Sequence, residues 1–328
     1  MKINRKINKF LSLVAGILAS GTAVFAQTTS YSDVVGYTTT VIKGSSSGTS
    51  GSYFNFVPVQ LSKPAVFTGQ ATASGTTITL AGASLASLTS PHYLIIQSGT
   101  GSGYLSDITA NTSTTVTTSD DLSSQVGSGA LVSVIPHVLL TDVLGTGAGL
   151  VLSGGAAGTA DLVYLVGTDG SFKSYYYKTG LGAGWKDAGT GSAANSVVVY
   201  PNESILVERK ASTDTAGVVQ TGMVLPSDAK TVYTPGFNTA SSGYPTALNL
   251  TALTSVLQGG SAATADQIYL VDPSSGSLKA FYYKTGLGAG WKDASSGVAA
   301  DITRDIGSGF VVERKQGTSA VLSQTKPF

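Results

Sequence analysis

"YYKTGLGAGWKDA" occupies Tyr176–Ala188, and the same thirteen residues return at Tyr282–Ala294. The stretch reads as a hairpin written twice. A run of aromatics leads into glycines at 180, 182 and 184, which permit the positive φ of a tight reversal, and "WKDA" begins the return strand. Successive strand residues face opposite ways. One of Tyr176 and Tyr177 therefore packs against Trp185 across the hairpin while the other borders solvent. Tyr282, Tyr283 and Trp291 repeat the arrangement. Lys186 and Asp187 are expected to be exposed neighbours whose pairing contributes little.

The duplication extends beyond the hairpin. "ADLVYLV" (Ala160–Val166) returns as "ADQIYLV" (Ala265–Val271), and "VERK" stands at Val207–Lys210 and again at Val312–Lys315. The offset is 105 residues at Asp161/Asp266, 106 at Trp185/Trp291 and 105 at Glu208/Glu313, so the copies slip only in turns. Two copies at this spacing indicate tandem small domains, not a short-period solenoid.

Around the repeat the pattern is that of strands. "VVGYTTTVI" (Val34–Ile42), "TTITL" (Thr76–Leu80), "HYLIIQ" (His92–Gln97), "TTVTT" (Thr114–Thr118) and "ALVSVI" (Ala130–Ile135) alternate with Gly/Ser/Thr/Asn clusters. Strands of this kind need one buried face. The expected fold class is all-β, with tandem antiparallel sandwich or small-barrel modules. Only "LNLTALTSVLQGG" (Leu248–Gly260) and "LLTDVLG" (Leu139–Gly145) carry a helical apolar spacing. The expected divisions are an N-terminal β module at 27–136, a first repeat module at 137–215 and a second at 216–328.

Residues 1–26 read as an export signal. Lys2, Arg5, Lys6 and Lys9 precede the apolar Phe10–Ala26, and Val24 and Ala26 suit a cleavage site before Gln27. No transmembrane segment is expected once it is removed. Those four basic residues leave 15 Lys+Arg against 18 Asp+Glu, a mature charge of −3. That balance gives no electrostatic footprint for nucleic acid. Charged residues make up 11% of the chain, about half the usual share. Solubility then rests on Ser, Thr, Asn and Gly. With no cysteine, the fold must be held by core burial.

The order "GFN…YP" (Gly236–Asn238, Tyr244–Pro245), "ADQIYLVD", "FYYKTGLGAGWKD" and "IGSGFVVERK" (Ile306–Lys315) resembles a family of uncharacterised exported proteins from verrucomicrobial and related bacteria. "VVGYTTTVI…PVQLSKPAVFTGQ…ITANTSTTVT…VIP" is similar to the leading module of that family. The resemblance implies export and this architecture, and supplies no catalytic residues. The copy at 137–215 departs from it by lacking the "GFN…YP" segment.

Catalytic chemistry finds little footing. The two histidines, His92 and His137, sit in or beside apolar strands, and no G-x-S-x-G is read at a strand-to-helix turn. The duplicated carboxylates Asp161/Asp266, Asp187/Asp293 and Glu208/Glu313 could suggest an acid/base pair. In "WKD" and "VERK" they stand beside Lys or Arg, however, and surface pairing is the expected role. Calcium is the one cofactor left open, through Asp161 with Asp169 or Asp266 with Asp272 and turn carbonyls. Zinc lacks ligands. The sequence thus reads as a non-catalytic, structural or adhesive protein of the cell surface or extracellular matrix, partnered by cell-surface polysaccharide or by itself. The alternative is carbohydrate binding through Tyr176, Tyr177, Trp185, Tyr282, Tyr283 and Trp291, since sugars stack on exposed rings; a secreted hydrolase comes third.

Overall fold

Thr77 and Thr79 face out while Ile78 and Leu80 are almost fully buried, and this period-two alternation builds the first body of the molecule. The computed structural model describes residues 34–48, 51–300, 302, 305–306 and 309–327; the expected export signal lies outside the described residues. Six antiparallel strands close a barrel in the order Phe67–Ser74, Thr77–Leu80, Thr115–Thr118, Leu105–Asn111, His92–Ile96 and Ala130–Pro136, which pairs back with the first. Leu94, Ile96, Val116, Val132 and Val134 fill it. Each buried branched side chain contributes roughly 1.5–3 kcal/mol. Closure also removes the edges at which strands would pair with other chains.

The two repeats form two five-stranded antiparallel sheets. The first runs Gly184–Asp187, Phe172–Lys178, Leu162–Val166, Ser204–Arg209 and Tyr53–Pro58. The second runs Gly290–Asp293, Leu278–Lys284, Gln267–Val271, Phe310–Arg314 and Gly236–Ala240. Each copy adds a two-stranded ribbon, Val35–Thr40 with Val218–Met223 and Ala229–Tyr233 with Ala320–Gln324. The chain is therefore all-β. Its helical content is confined to short pieces such as Leu140–Leu144 and the 3₁₀ turn Leu250–Ser255, in the two stretches with helical spacing.

The segment missing from 137–215 is supplied from far upstream. Tyr53–Pro58 pairs along Ser204–Arg209 as Gly236–Ala240 pairs along Phe310–Arg314. Asn55 and Asn238 occupy matching places and do the same work. The Asn55 Oδ1 accepts from the Lys43 amide at 2.7 Å, and its Nδ2 donates to Lys43 and Tyr53 carbonyls. The Asn238 Oδ1 accepts from the Thr234 amide at 2.9 Å, and its Nδ2 donates to Thr234 and Gly236 carbonyls. The first copy thus extends outside 137–215, and the barrel is inserted between its second and third strands.

The two sheets pack on each other reciprocally. The Phe54 amide donates to the Gly276 carbonyl at 2.8 Å, and the Phe237 amide to the Gly170 carbonyl at 3.0 Å. Gly170 and Gly276 have φ of 70° and 74°. A Cβ on Gly170 would come within 2.7 Å of the Pro235 carbonyl, and one on Gly276 would strike the Tyr53 ring. Between the sheets lies an aromatic row, Phe54–Tyr164–Phe172–Phe237–Tyr269, with centroids 5.0–6.4 Å apart. Phe56, Leu206 and Val311 are buried beneath it. Reciprocal contacts of matching residues are what a two-fold interface requires, and here both halves belong to one chain.

Candidate functional site

The hairpins form as expected, and their register places Tyr177 opposite Trp185 and Tyr283 opposite Trp291. The rings meet edge to face at 5.7 and 5.6 Å, a geometry favoured by the ring quadrupoles. Tyr176 and Tyr282 sit across from Lys186 and Lys292 on the other face; Tyr176 is half-buried and Tyr282 buried. Trp185 is 0% exposed and joins the core with Tyr177. Its indole N–H donates to the Gly145 carbonyl at 3.0 Å, while the Tyr177 hydroxyl accepts from the Gly147 amide at 2.8 Å. In the first copy, then, the expected stacking platform is interior.

The second copy differs. Tyr283 and Trp291 are half-buried, and the Trp291 indole N–H is buried with no hydrogen-bond partner among the described residues. The cause is a deletion. Val138–Gly155 spans 18 residues and its counterpart Leu248–Gly260 spans 13. The second copy therefore lacks a segment like Gly145–Gly149 to cover its tryptophan.

The duplicated carboxylates are not surface partners of their sequence neighbours. Asp161 and Asp266 have fully buried side chains paired with Arg209 and Arg314, themselves 6% and 5% exposed. Asp161 also accepts from the Ser153 and Lys210 amides, and Asp266 from the Gln258 and Lys315 amides. These donors saturate the carboxylates and leave no oxygens for calcium with Asp169 or Asp272, which bind Ser171 and Ser274 instead. No group of three or more His, Asp or Glu among the described residues is placed to hold a metal ion. Asp187 and Asp293 fold back on the following turn. Asp187 accepts from the Gly189 and Thr190 amides, and Asp293 from Ser295 and Ser296. The Thr190 amide holds the Asp187 pKa below the usual range, and the Ser295 hydroxyl does so for Asp293. Glu208 and Glu313 accept from the Tyr164 and Tyr269 hydroxyls at 2.7 and 2.6 Å.

A cleft of about 490 Å³ opens where the barrel and both copies converge. The barrel supplies Tyr104, Asp120 and Asp121, the first copy Tyr200 and Glu203, and the second Lys230, Thr231 and Thr239. Lys230 is already engaged, 4.2 Å from the Tyr104 ring centroid and donating to the Thr100 carbonyl. Asp120 accepts from the Ser106 and Ser119 hydroxyls, and Asp121 from Ser123. Behind the wall, Asp107 accepts from His137 Nε2 at 2.9 Å and the Tyr200 hydroxyl at 2.7 Å. Burial would raise the Asp107 pKa, but these two bonds outweigh it and hold the carboxyl below the usual range. Both His92 and His137 are buried, and neither lines the cleft.

Two features of the cleft are not explained by packing. The Thr231 and Thr239 hydroxyls are buried without a hydrogen-bond partner among the described residues, a condition that costs about 1–3 kcal/mol each. Glu203 follows Asn202, the one non-glycine residue with positive φ (69°) among those described. Burial raises the Glu203 carboxyl to about 8, against a single amide bond from Tyr200. The 105-residue offset aligns "PNES" (Pro201–Ser204) in sequence with "IGSG" (Ile306–Gly309), so the second copy carries a serine in place of Glu203. This local divergence between copies is the sequence signal that marks the cleft.

Comparison with models of protein families, with curated proteins and with solved structures finds no match. Among the described residues, no helix is long and apolar enough to cross a membrane.

Proposed function

We propose that this is an exported, non-catalytic protein that acts as a structural or adhesive component of the cell surface or extracellular matrix. One observation carries the reading: the residues duplicated letter for letter serve construction. Trp185 and Tyr177 are core, Asp161 and Asp266 clamp arginines, Asp187 and Asp293 hold turns, and the two copies close on each other. Charge so low and the absence of cysteine suit a rigid body held by burial alone. Carbohydrate binding through the hairpins keeps Tyr176, Tyr283 and Trp291 as partly accessible rings.

The test is made on the producing cell. Protease shaving of intact cells should release the protein from the surface, or it should be recovered from the medium, and a deletion strain should attach or assemble less well. Recovery from the cytoplasm alone would end the proposal. A polysaccharide pull-down by the secreted protein that fails in a folded Trp291→Ala variant would move the hairpin reading ahead of it.

A further inference from the structure

The long strand edges of this fold are closed, with one exception. The edge of Tyr53–Pro58 donates its Phe54 amide to Gly276, and that of Gly236–Ala240 its Phe237 amide to Gly170. Gly184–Asp187 and Gly290–Asp293 carry Lys186 and Lys292 at bridges to Ala193 and Ala299, and the barrel closes on itself. The ribbon of the second copy is blunted too: Lys230, on its strand Ala229–Tyr233, reaches the Thr100 carbonyl and the Tyr104 ring of the barrel. Charge and cover are the usual protections of an edge.

The corresponding strand of the first copy, Val35–Thr40, has neither. Among the described residues it pairs with Val218–Met223 alone. The Lys43 and Thr234 amides occupy matching places, so, four residues back, Thr39 stands where the second copy has Lys230. "VGYTTTV" (Val35–Val41) holds no charge. The Val224 amide donates to the Val34 carbonyl at 2.8 Å, so the even-numbered residues bond across the ribbon. Alternation then turns the amides and carbonyls of Val35, Tyr37, Thr39 and Val41 out of the open edge. Their side chains share the outer face, with Val35 72%, Tyr37 76% and Val41 45% exposed, and Val219, opposite Thr39, 61% exposed.

The strand is also complementary to itself. Laid antiparallel on a second molecule about a two-fold axis at Thr38, it sets Val35 against the other Val41 and Tyr37 against the other Thr39. This register engages all four outward-turned residues. Each such pair exchanges two N–H···O=C bonds, and β-branched and aromatic side chains meet on one face. We propose that Val35–Thr40 is a dimerisation edge that joins a second molecule of this chain into a four-stranded ribbon. The contact is isologous and closes on itself. So short a pairing falls below the roughly 1,200 Å² of a standard interface, which makes the dimer weak and reversible. The inference goes beyond the structural role and does not rest on it, since the purified protein would pair whichever compartment it came from.

Sedimentation velocity on the protein purified from its producing cell tests it. The expected result is a monomer–dimer equilibrium with a dissociation constant on the order of 100 µM. Thr39→Lys gives the edge the residue its counterpart carries. It should weaken the dimer ~10-fold or more at an unchanged melting temperature, because Thr39 is exposed. The chain has no cysteine, so Thr38→Cys supplies a second readout. Residues facing across a non-hydrogen-bonded pair lie about 4.5 Å apart at Cα, within disulfide reach. Copper–phenanthroline oxidation should therefore cross-link Thr38→Cys faster than Thr72→Cys, on the exposed barrel face. A parent that stays monomeric up to about 0.5 mM would overturn the proposal. So would a dimer that folded Thr39→Lys leaves unchanged, which would place the contact on another face, or equal cross-linking of the two cysteine variants. Should Thr39→Lys fail to fold, the cysteine pair decides.

Discussion

The two hairpins share thirteen residues and meet different fates. Trp185 is sealed in the first core, bonded to the Gly145 carbonyl, while Trp291 is half-buried with its indole N–H unpartnered. The hairpins themselves do not differ; a neighbouring segment five residues shorter does. Letter-for-letter identity therefore reports a shared backbone geometry, and the environment of a side chain is set by segments that have diverged.

The comparison can be broken by substitution, beginning with what should not differ between copies. Removing one partner of a buried ion pair strands the other, so Arg209→Ala and Arg314→Ala should each cost about 3–5 kcal/mol in urea unfolding. A large gap between them would mean that the copies are not equivalent even in their clamps. The tryptophans should differ. Trp185→Ala should cost about 3–5 kcal/mol, as large-to-small core changes do, and Trp291→Ala about half of that. Equal losses would show that exposure does not separate the two hairpins.

Glu203 sharpens the contrast at a position where the copies diverge. Its folded pKa of about 8 lies above the ordinary carboxyl value, so the contribution of Glu203 to stability is full below about pH 4 and is lost as pH rises toward 8. Glu203→Gln should flatten that decline and stabilise the protein above pH 8. A shift this large corresponds to several kcal/mol, of which partial exposure leaves on the order of 2–3. A parent curve that is flat from pH 5 to 9 would remove the buried acid from the account. The smallest effect tests the interface: Gly170→Ala and Gly276→Ala each force a side chain into positive φ and should cost about 1–2 kcal/mol. Tyr53 fluorescence or proteolysis near 235 should report loosening of the facing copy in each case.

The repeat, the strand pattern and the packing of one hairpin tyrosine on Trp185 were legible in the chain because each depends on residues close in sequence. Alternation of Thr77–Leu80 and the glycines of the hairpin carry their geometry locally. The strand Tyr53–Pro58 was not legible as part of the first sheet, because the barrel separates it from its partner Ser204–Arg209. Only the dipeptide Phe54-Asn55, echoed by Phe237-Asn238, hinted at it. The buried state of Asp161 was hidden too, since its partner Arg209 lies 48 residues on and reads as a surface charge. The cleft was the least visible feature. Asp120, Glu203 and Thr239 come from three bodies, and nothing in one segment announces the other two.

The inserted barrel also has a consequence for the order in which the chain folds. Phe56 pairs with Leu206, 150 positions later, a closure that is slow and entropically unfavourable for a free chain. Inside the barrel, however, Phe67 lies directly opposite Val134. Once the barrel has formed, its entrance and exit stand side by side, and the gap the first copy must close shrinks from the length of a domain to that of two short connectors. The barrel thus acts as a clasp in time, ready before the sheet it serves.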